Sequence, residues 1–465
     1  MKLKSFRASA AFIPTTLMLV VAVATTVASA QTYTDLYNFD LTHGSNPWGI
    51  LAQGRDGNLY GTTFTGGANL CPTTPGCGTV IKITPSGTLK VLYDFDGVDG
   101  SEPYGGLTLG TDGNFYGTTS SRGANNYGTI FKITKSGSLT TLYNFTGGAD
   151  GGLPWAPPIQ GTDGNFYGTT QAYGTAYKIT PSGTFTLLAS LPGGSHAPLL
   201  LGTDGNFYGT TNGGGTYAYG TVFKMTPKGT VTIVYNFDFT HGSAPEGPLI
   251  QGNDGNFYGT AYSGGMGGTG CSYGCGTAFK LTPHGDITVL HKFKAYGTGG
   301  YQPTGLVQAT DGNFYGVTLK GGTAAWGVIF RITPARTYSV LYNFDSADGA
   351  SPFSTPMQHT NSKIYGLAEL GGASGYGVFY SLDVGLGPFV SLVSTLGEVG
   401  KTVEVLGQGF TGTSAVSFNG TAAAFTVVSD TYLTATVPSG ATTGSVTVTT
   451  PGGTLTSSKP FRVKP

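Results

Sequence analysis

Short runs of alternating apolar and polar residues, rich in Thr, Val, Ile, Tyr and Phe, recur along most of the chain. Gly, Pro, Asn and Asp separate them, and no stretch between keeps a helical period, so the pattern predicts an all-β protein. The runs repeat as a unit. Its clearest mark is Asp-Gly-Asn-Phe-Tyr-Gly, beginning at Asp112, Asp163, Asp204, Asp254 and Asp311, with a variant at Asp56 that carries Leu59 and a degenerate form at Asn361. A spacing of roughly fifty residues belongs to propeller blades rather than helical solenoids. In the second copy the pattern predicts strands over 106–110, 115–119, 128–134 and 139–145. Glycine-containing turns at Asp112-Gly113-Asn114 and Lys135-Ser136-Gly137 join the first strand to the second and the third to the fourth.

The ends of the repeat region predict closure. The last copy stops near Asp383 without a fourth strand, whereas Thr34-Asp35-Leu36-Tyr37-Asn38-Phe39 matches a fourth strand such as Leu341-Tyr342-Asn343-Phe344. Supplying the missing strand from the N-terminus removes two exposed sheet edges. The expected architecture is a seven-bladed β-propeller over 31–385, closed by its N-terminal strand. Beyond it, alternation in 403–406 and 445–449 between Gly and Pro turns predicts an immunoglobulin-like β-sandwich over 387–465.

The repeats, through GTDGNFYGTT, YGTIFKIT and TLYNFTGG, resemble the GloVer repeat, the tandem repeat of "choice-of-anchor" bacterial exported proteins. That resemblance implies export and brings no assigned activity. The chain departs from the pattern in ending at Pro465 without a hydrophobic sorting tail. The segment after the repeats resembles an IPT/TIG domain through 400–410, Val416-Ser417-Phe418-Asn419-Gly420, 433–438 and 444–453. In secreted chains such domains are similar to spacers beside binding or carbohydrate-active modules.

Composition narrows the function classes. Charged residues are 10% of the chain and 23 basic residues balance 23 acidic ones, so no basic field exists to attract nucleic acid. Lys2, Lys4 and Arg7, an apolar run from Ala10 and the small residues Ala28-Ser29-Ala30 predict a signal peptide over 1–30. No later run reaches the length of a membrane span, so a secreted, periplasmic or cell-surface bacterial protein is expected, and as a monomer.

Candidate chemistry falls on the face expected to carry the long loops, where binding residues tend to lie. Cys71 with Cys77 and Cys271 with Cys275 are expected as two local disulfides, the default in an exported chain. With the pairs in separate blades no metal site is expected, and no cofactor. At the position of the second cysteine the other blades place Tyr127, Tyr173, Tyr219, Trp326 and Tyr376. These rings either staple their own loops or offer platforms for a sugar ring or a protein partner. His43, Asp99, Asp150, His241 and Asp348 recur at one interblade position; repetition marks them as turn caps rather than catalytic groups, which are needed once. Gln53, Gln160, Gln251, Gln308 and Gln358 recur near the end of the inner strand and either line the central channel with neutral polar groups or, the favoured reading, bond between blades. The functional expectation is a non-catalytic binding or display protein whose loop face takes a glycan or an envelope protein. The alternative is a polysaccharide hydrolase or lyase using acidic residues of that face, such as Asp99 and Asp150.

Overall fold

The computed structural model describes residues 31–72, 74–265, 270–295 and 297–464. The expected signal peptide, 1–30, lies outside the described residues. Those residues hold strands and no helix. Seven four-stranded antiparallel sheets follow one another between Thr32 and Asp383, repeated in the manner of propeller blades. The second consists of Leu107–Leu109, Phe115–Thr119, Thr129–Ile133 and Leu139–Asn144.

The repeated Asp-Gly-Asn-Phe-Tyr segment explains both the turn and the join between sheets. Asp204 accepts hydrogen bonds from Asn206 N at 3.1 Å, Asn206 Nδ2 at 2.8 Å and the Tyr208 hydroxyl at 2.9 Å. Lys224 Nζ lies 2.8 Å from the same carboxylate. These partners overcome burial and hold the Asp204 carboxyl down to about 2. Adjacent Phe and Tyr side chains then leave opposite faces of the strand. Where the following sheet carries Phe, the Tyr packs against it: Tyr60 on Phe115 at 4.0 Å, Tyr116 on Phe166 at 3.7 Å and Tyr167 on Phe207 at 4.1 Å. Stacked pairs of this kind contribute about 1 kcal/mol each beyond their buried area.

The glutamines add a polar join. The side-chain carbonyl of Gln160 accepts from Thr111 N at 2.8 Å, that of Gln251 from Thr203 N at 2.9 Å and that of Gln358 from Thr310 N at 2.9 Å, each reaching the preceding sheet. The same bond joins the last sheet to the first, with Gln53 accepting from Thr360 N at 3.2 Å.

Strand Thr32–Asn38 pairs antiparallel with Val378–Asp383, from Thr32 opposite Asp383 to Asn38 opposite Val378. It is the fourth strand of the sheet that contains Met357–Gln358 and Ile364–Ala368. Leu51, Leu59, Ile81 and Ile83 of the first sheet share one buried cluster with Tyr365, Leu367 and Phe379 of this last one.

The C-terminal segment forms two four-stranded sheets, one built around Thr402–Leu406 and Tyr432–Thr436, the other around Ala415–Phe418 and Val446–Thr450, and a parallel pair of Leu396–Glu398 with Arg462–Lys464. Alternate residues of these strands, including Val403, Val405, Val416, Phe418, Val446 and Val448, meet Phe410, Leu433 and Phe461 in a buried core. This sandwich sits on the Asp-Gly-Asn face of the repeats. Arg55 pairs with Glu404 at 2.6 and 3.0 Å and lies 4.9 Å from the centre of the Tyr432 ring. Lys459 Nζ donates to Gln251 O at 2.7 Å, and Gln408 Nε2 to Thr360 Oγ1 at 3.1 Å. Among the described residues these hydrogen bonds and ion pairs of the sandwich all reach the Asp-Gly-Asn face, and none reaches the opposite, long-loop face.

Candidate ligand-binding funnel

The loop-face site is set by how the chain approaches the first strand of each sheet. In six sheets a proline stands there: Pro47, Pro103, Pro154, Pro245, Pro303 and Pro352. The residue before it is in the left-handed region, with φ of 51° at Asn46, 59° at Glu102, 51° at Leu153, 48° at Ala244, 60° at Gln302 and 51° at Ser351. Non-glycine residues disfavour that conformation, and proline disfavours helical conformations in the residue before it, so something must hold it. Two backbone bonds do. Leu153 N donates to Tyr127 O of the previous sheet at 2.8 Å, and Leu153 O accepts from Gln171 N of its own sheet at 3.2 Å. Asn46 does the same between Tyr376 O and Phe64 N, both at 3.0 Å. Space for the proline comes from a glycine. A Cβ on Gly128 would lie 2.9 Å from Pro154 Cδ, and one on Gly377 would lie 2.6 Å from Pro47 Cδ.

This fixed elbow projects the next side chain toward the middle of the loop face. The residues so placed are Trp48, Tyr104, Trp155, Glu246, Thr304 and Phe353, with His196 in the sheet that lacks the proline. Six residue types occupy the seven places, Trp alone occurring twice, within an otherwise repeated frame. Their rings form a chain: Phe64 on Trp48 at 4.3 Å, Trp48 edge-on to Tyr104 at 4.5 Å, Tyr104 on Trp155 at 4.5 Å and Trp155 on His196 at 4.0 Å. A cleft of about 370 Å³ opens beside the aromatic half, lined by Trp48, Phe64, Glu102, Tyr104, Ser120 and Trp155 among others. That volume lies in the range of small-molecule sites. It adjoins a pocket of about 40 Å³ bounded by Trp48, Tyr104, Trp155, His196, Glu246 and Thr304, with room for one polar substituent and not a ring.

The polar third of the funnel is electrostatically distinct. Asn212 Nδ2 lies 3.0 Å from His196 Nε2, and an amide nitrogen only donates, so Nε2 accepts and the ring proton sits on Nδ1. His196 Nδ1 faces Glu246 Oε1 at 3.8 Å. Burial pushes the His196 imidazole down to about 4 and the Glu246 carboxyl up to about 7. Burial likewise lifts Glu369 to about 7, although the Trp48 indole N–H on its side offsets part of the rise. That N–H makes no bond of good hydrogen-bond geometry. Tyr262, raised to about 12 by burial and then by Glu246, stands beside both carboxyls.

The residues singled out from sequence lie outside this funnel. Tyr127, Tyr173, Tyr219, Trp326 and Tyr376 form an exposed rim, from 38% exposed at Tyr127 and Tyr376 to 69% at Tyr173. Tyr127 lies against Gly147 and Gly152, and Tyr219 stands 5.3 Å from Phe239. The backbone carbonyls of four of them, at Tyr127, Tyr219, Trp326 and Tyr376, hold the elbow of the next sheet. The Asp and His set bonds within its own loops. Asp99 accepts from the Tyr93 hydroxyl and from Asp96 N, and Asp150 from the Tyr143 hydroxyl and Thr146 N. Asp348 accepts from the Tyr342 hydroxyl and Asp345 N, while His43 and His241 pair with Asp40 and Asp238. Cys71–Cys77 and Cys271–Cys275 are disulfide-bonded. Among the described residues no group of three metal-ligating side chains converges.

Larger clefts of about 510 and 850 Å³ lie at the junction with the sandwich. The first is lined chiefly by Thr, Gly and Leu, and the second lies beside the Arg55 contacts and the Asp-Gly-Asn turns. The second also holds the rings of Tyr60, Phe115 and Tyr432, but its carboxyls are already engaged: Asp56 with Lys82 at 2.7 Å, Asp112 with Asn114 and Asp430 with Thr411 N.

The family model of the Gloeobacter/Verrucomicrobia repeat matches residues 22–198, 171–272 and 265–405, and that of the IPT/TIG domain matches 388–463. No curated protein matches the chain. Among solved structures it is similar to a streptogramin B lyase, at 19% identity and a TM-score of 0.55 over 76% of this chain and 97% of that one. A virginiamycin B lyase from Staphylococcus aureus is similar at 17% identity and a TM-score of 0.53, over 76% of this chain and 98% of that one. At these identities the likeness is one of fold.

Proposed function

The chain belongs to the Gloeobacter/Verrucomicrobia repeat family and carries an IPT/TIG domain behind the repeats, and from that premise we propose that it is an exported bacterial protein that binds a glycan in the loop-face funnel. On this reading residues 1–30 are a signal peptide, 31–385 a closed seven-bladed propeller, and 387–465 a sandwich that spaces or orients it. The single observation that carries the reading is the Phe64–Trp48–Tyr104–Trp155 chain of rings beside a 370 Å³ cleft, next to buried polar groups. Aromatic faces with polar groups at their edge suit a sugar, whose ring has apolar C–H faces and a hydroxylated rim. Two disulfides support export, and no helix among the described residues is long and apolar enough to cross a membrane.

A glycan array probed with wild type and with Trp155→Ala tests this. Wild-type signal that Trp155→Ala abolishes is the expected result. A blank array, or an unchanged one, refutes the assignment.

A second reading has one observation in its favour: Glu246 and Glu369, both poised near neutrality, could serve a polysaccharide hydrolase or lyase as acid and base. Turnover of a polysaccharide that Glu246→Gln abolishes while binding persists would favour it over simple binding.

A further inference from the structure

Glu246 lines the small pocket and Glu369 lies against Trp48, which lines both cavities; among the described residues no Lys or Arg lines either one. Glu102, which lines the cleft, has Arg122 nearby, whereas among the described residues no Lys or Arg acts on Glu246 or Glu369 in this way. His196 supplies no charge: its Nδ1–H faces Glu246 as a neutral donor, because burial keeps the ring from protonating. Uncompensated buried carboxylates are costly, and a cation brought by a ligand would offset that cost.

Two more features point to what the cation is attached to. Trp48, Tyr104, Trp155 and Phe353 surround the small pocket, and aromatic faces attract an ammonium group. Thr304, 4% exposed and lining that pocket, has a hydroxyl without a hydrogen-bond partner in the protein. The pocket of about 40 Å³ thus offers acceptors and aromatic faces in a space that fits a single amino group. The adjoining cleft is large enough for the ring that carries it.

Resting on the carbohydrate reading above, we propose that the funnel is specific for a cationic amino sugar, a glycan residue with a free amine, whose ammonium group lies against Glu246 and Thr304 in the small pocket, within the field of Glu369 beside Trp48. Binding then requires ionised carboxylates and a protonated amine. The other titratable groups facing the pocket, His196, Tyr104 and Tyr262, stay neutral across that range.

Calorimetric titration of the full chain with three β-1,4-linked tetrasaccharides tests the proposal: glucosamine, N-acetylglucosamine and glucose. Near pH 7 the glucosamine oligomer should bind at least about tenfold more tightly than either neutral one, the margin expected of a buried charge-assisted hydrogen bond. The preference should shrink near pH 5, where both carboxyls are protonated, and disappear in Glu246→Gln/Glu369→Gln, with neutral binding retained. Equal affinity for the three oligomers, or tighter binding of a neutral one, would overturn the amino-sugar proposal and leave the glycan reading standing. Absence of binding by all three, together with a blank array, would overturn both.

Discussion

Glu246→Gln should stabilise the protein, and only above mildly acidic pH. The side chain is 21% exposed and its carboxyl is raised from 4.5 to about 7 by burial. Between those values the folded state holds a proton that the unfolded state releases, so wild-type stability from this group is complete below about 4.5 and falls as pH rises through 7. At about 1.4 kcal/mol per pH unit the full loss is on the order of 3 kcal/mol. Gln mimics the protonated acid and escapes it. For a repeat region of roughly 350 residues, an unfolding entropy of about 2.1 cal/mol/K per residue converts this to a rise on the order of 5 °C in the thermal midpoint. His196, lowered to about 4, titrates oppositely over part of the range. Paired measurement of variant and wild type removes groups common to both. Scanning calorimetry from pH 4.5 to 8 should therefore give coincident midpoints at the acid end and a widening gap that levels off above pH 7. A gap that is constant with pH, or one that favours wild type above pH 7, would show that Glu246 is not a buried carboxyl without a cation.

Two other perturbations test the frame that holds the funnel. Phe39, fully buried in the cluster shared by the first and last sheets, should cost about 3–5 kcal/mol when replaced by Ala, lowering the thermal midpoint of the repeats; a midpoint within error of wild type would contradict the role given to the N-terminal strand. Arg55→Met leaves Glu404 without its cation at the junction and should separate the unfolding of the sandwich from that of the repeats in a calorimetric scan, through a loss of about 3 kcal/mol of coupling; a single unchanged transition would contradict it.

The repeating sheets were legible in the sequence because each repeated residue has the same task in every copy. Asp, Asn and Tyr of the turn bond to one another, and Phe meets the Tyr of the sheet before. The complementarity of Thr34–Phe39 with the last copy was legible for the same reason. The funnel was not, because its residues share a place and not a type. Trp48, Tyr104, Trp155, His196, Glu246, Thr304 and Phe353 share their position beside the elbow and no single side-chain type. Repetition instead marks the rim and the Asp and His loops, where sameness reflects hydrogen bonds that recur from sheet to sheet. The available signal was the reverse: a position that varies from copy to copy, with only Trp occurring twice, directly after a Pro that mostly does not. Burial of Glu246 and Glu369 without a cation could not be read at all, since it depends on neighbours brought from separate sheets.

The chain has three tryptophans, of which Trp48 and Trp155 line the funnel while Trp326 stands on the rim. Tryptophan fluorescence during titration with a bound glycan therefore reports where the ligand sits. A ligand-induced change that persists in Trp326→Phe and vanishes in Trp48→Phe/Trp155→Phe is the result expected. A change lost with Trp326 and retained without the funnel pair would contradict the account.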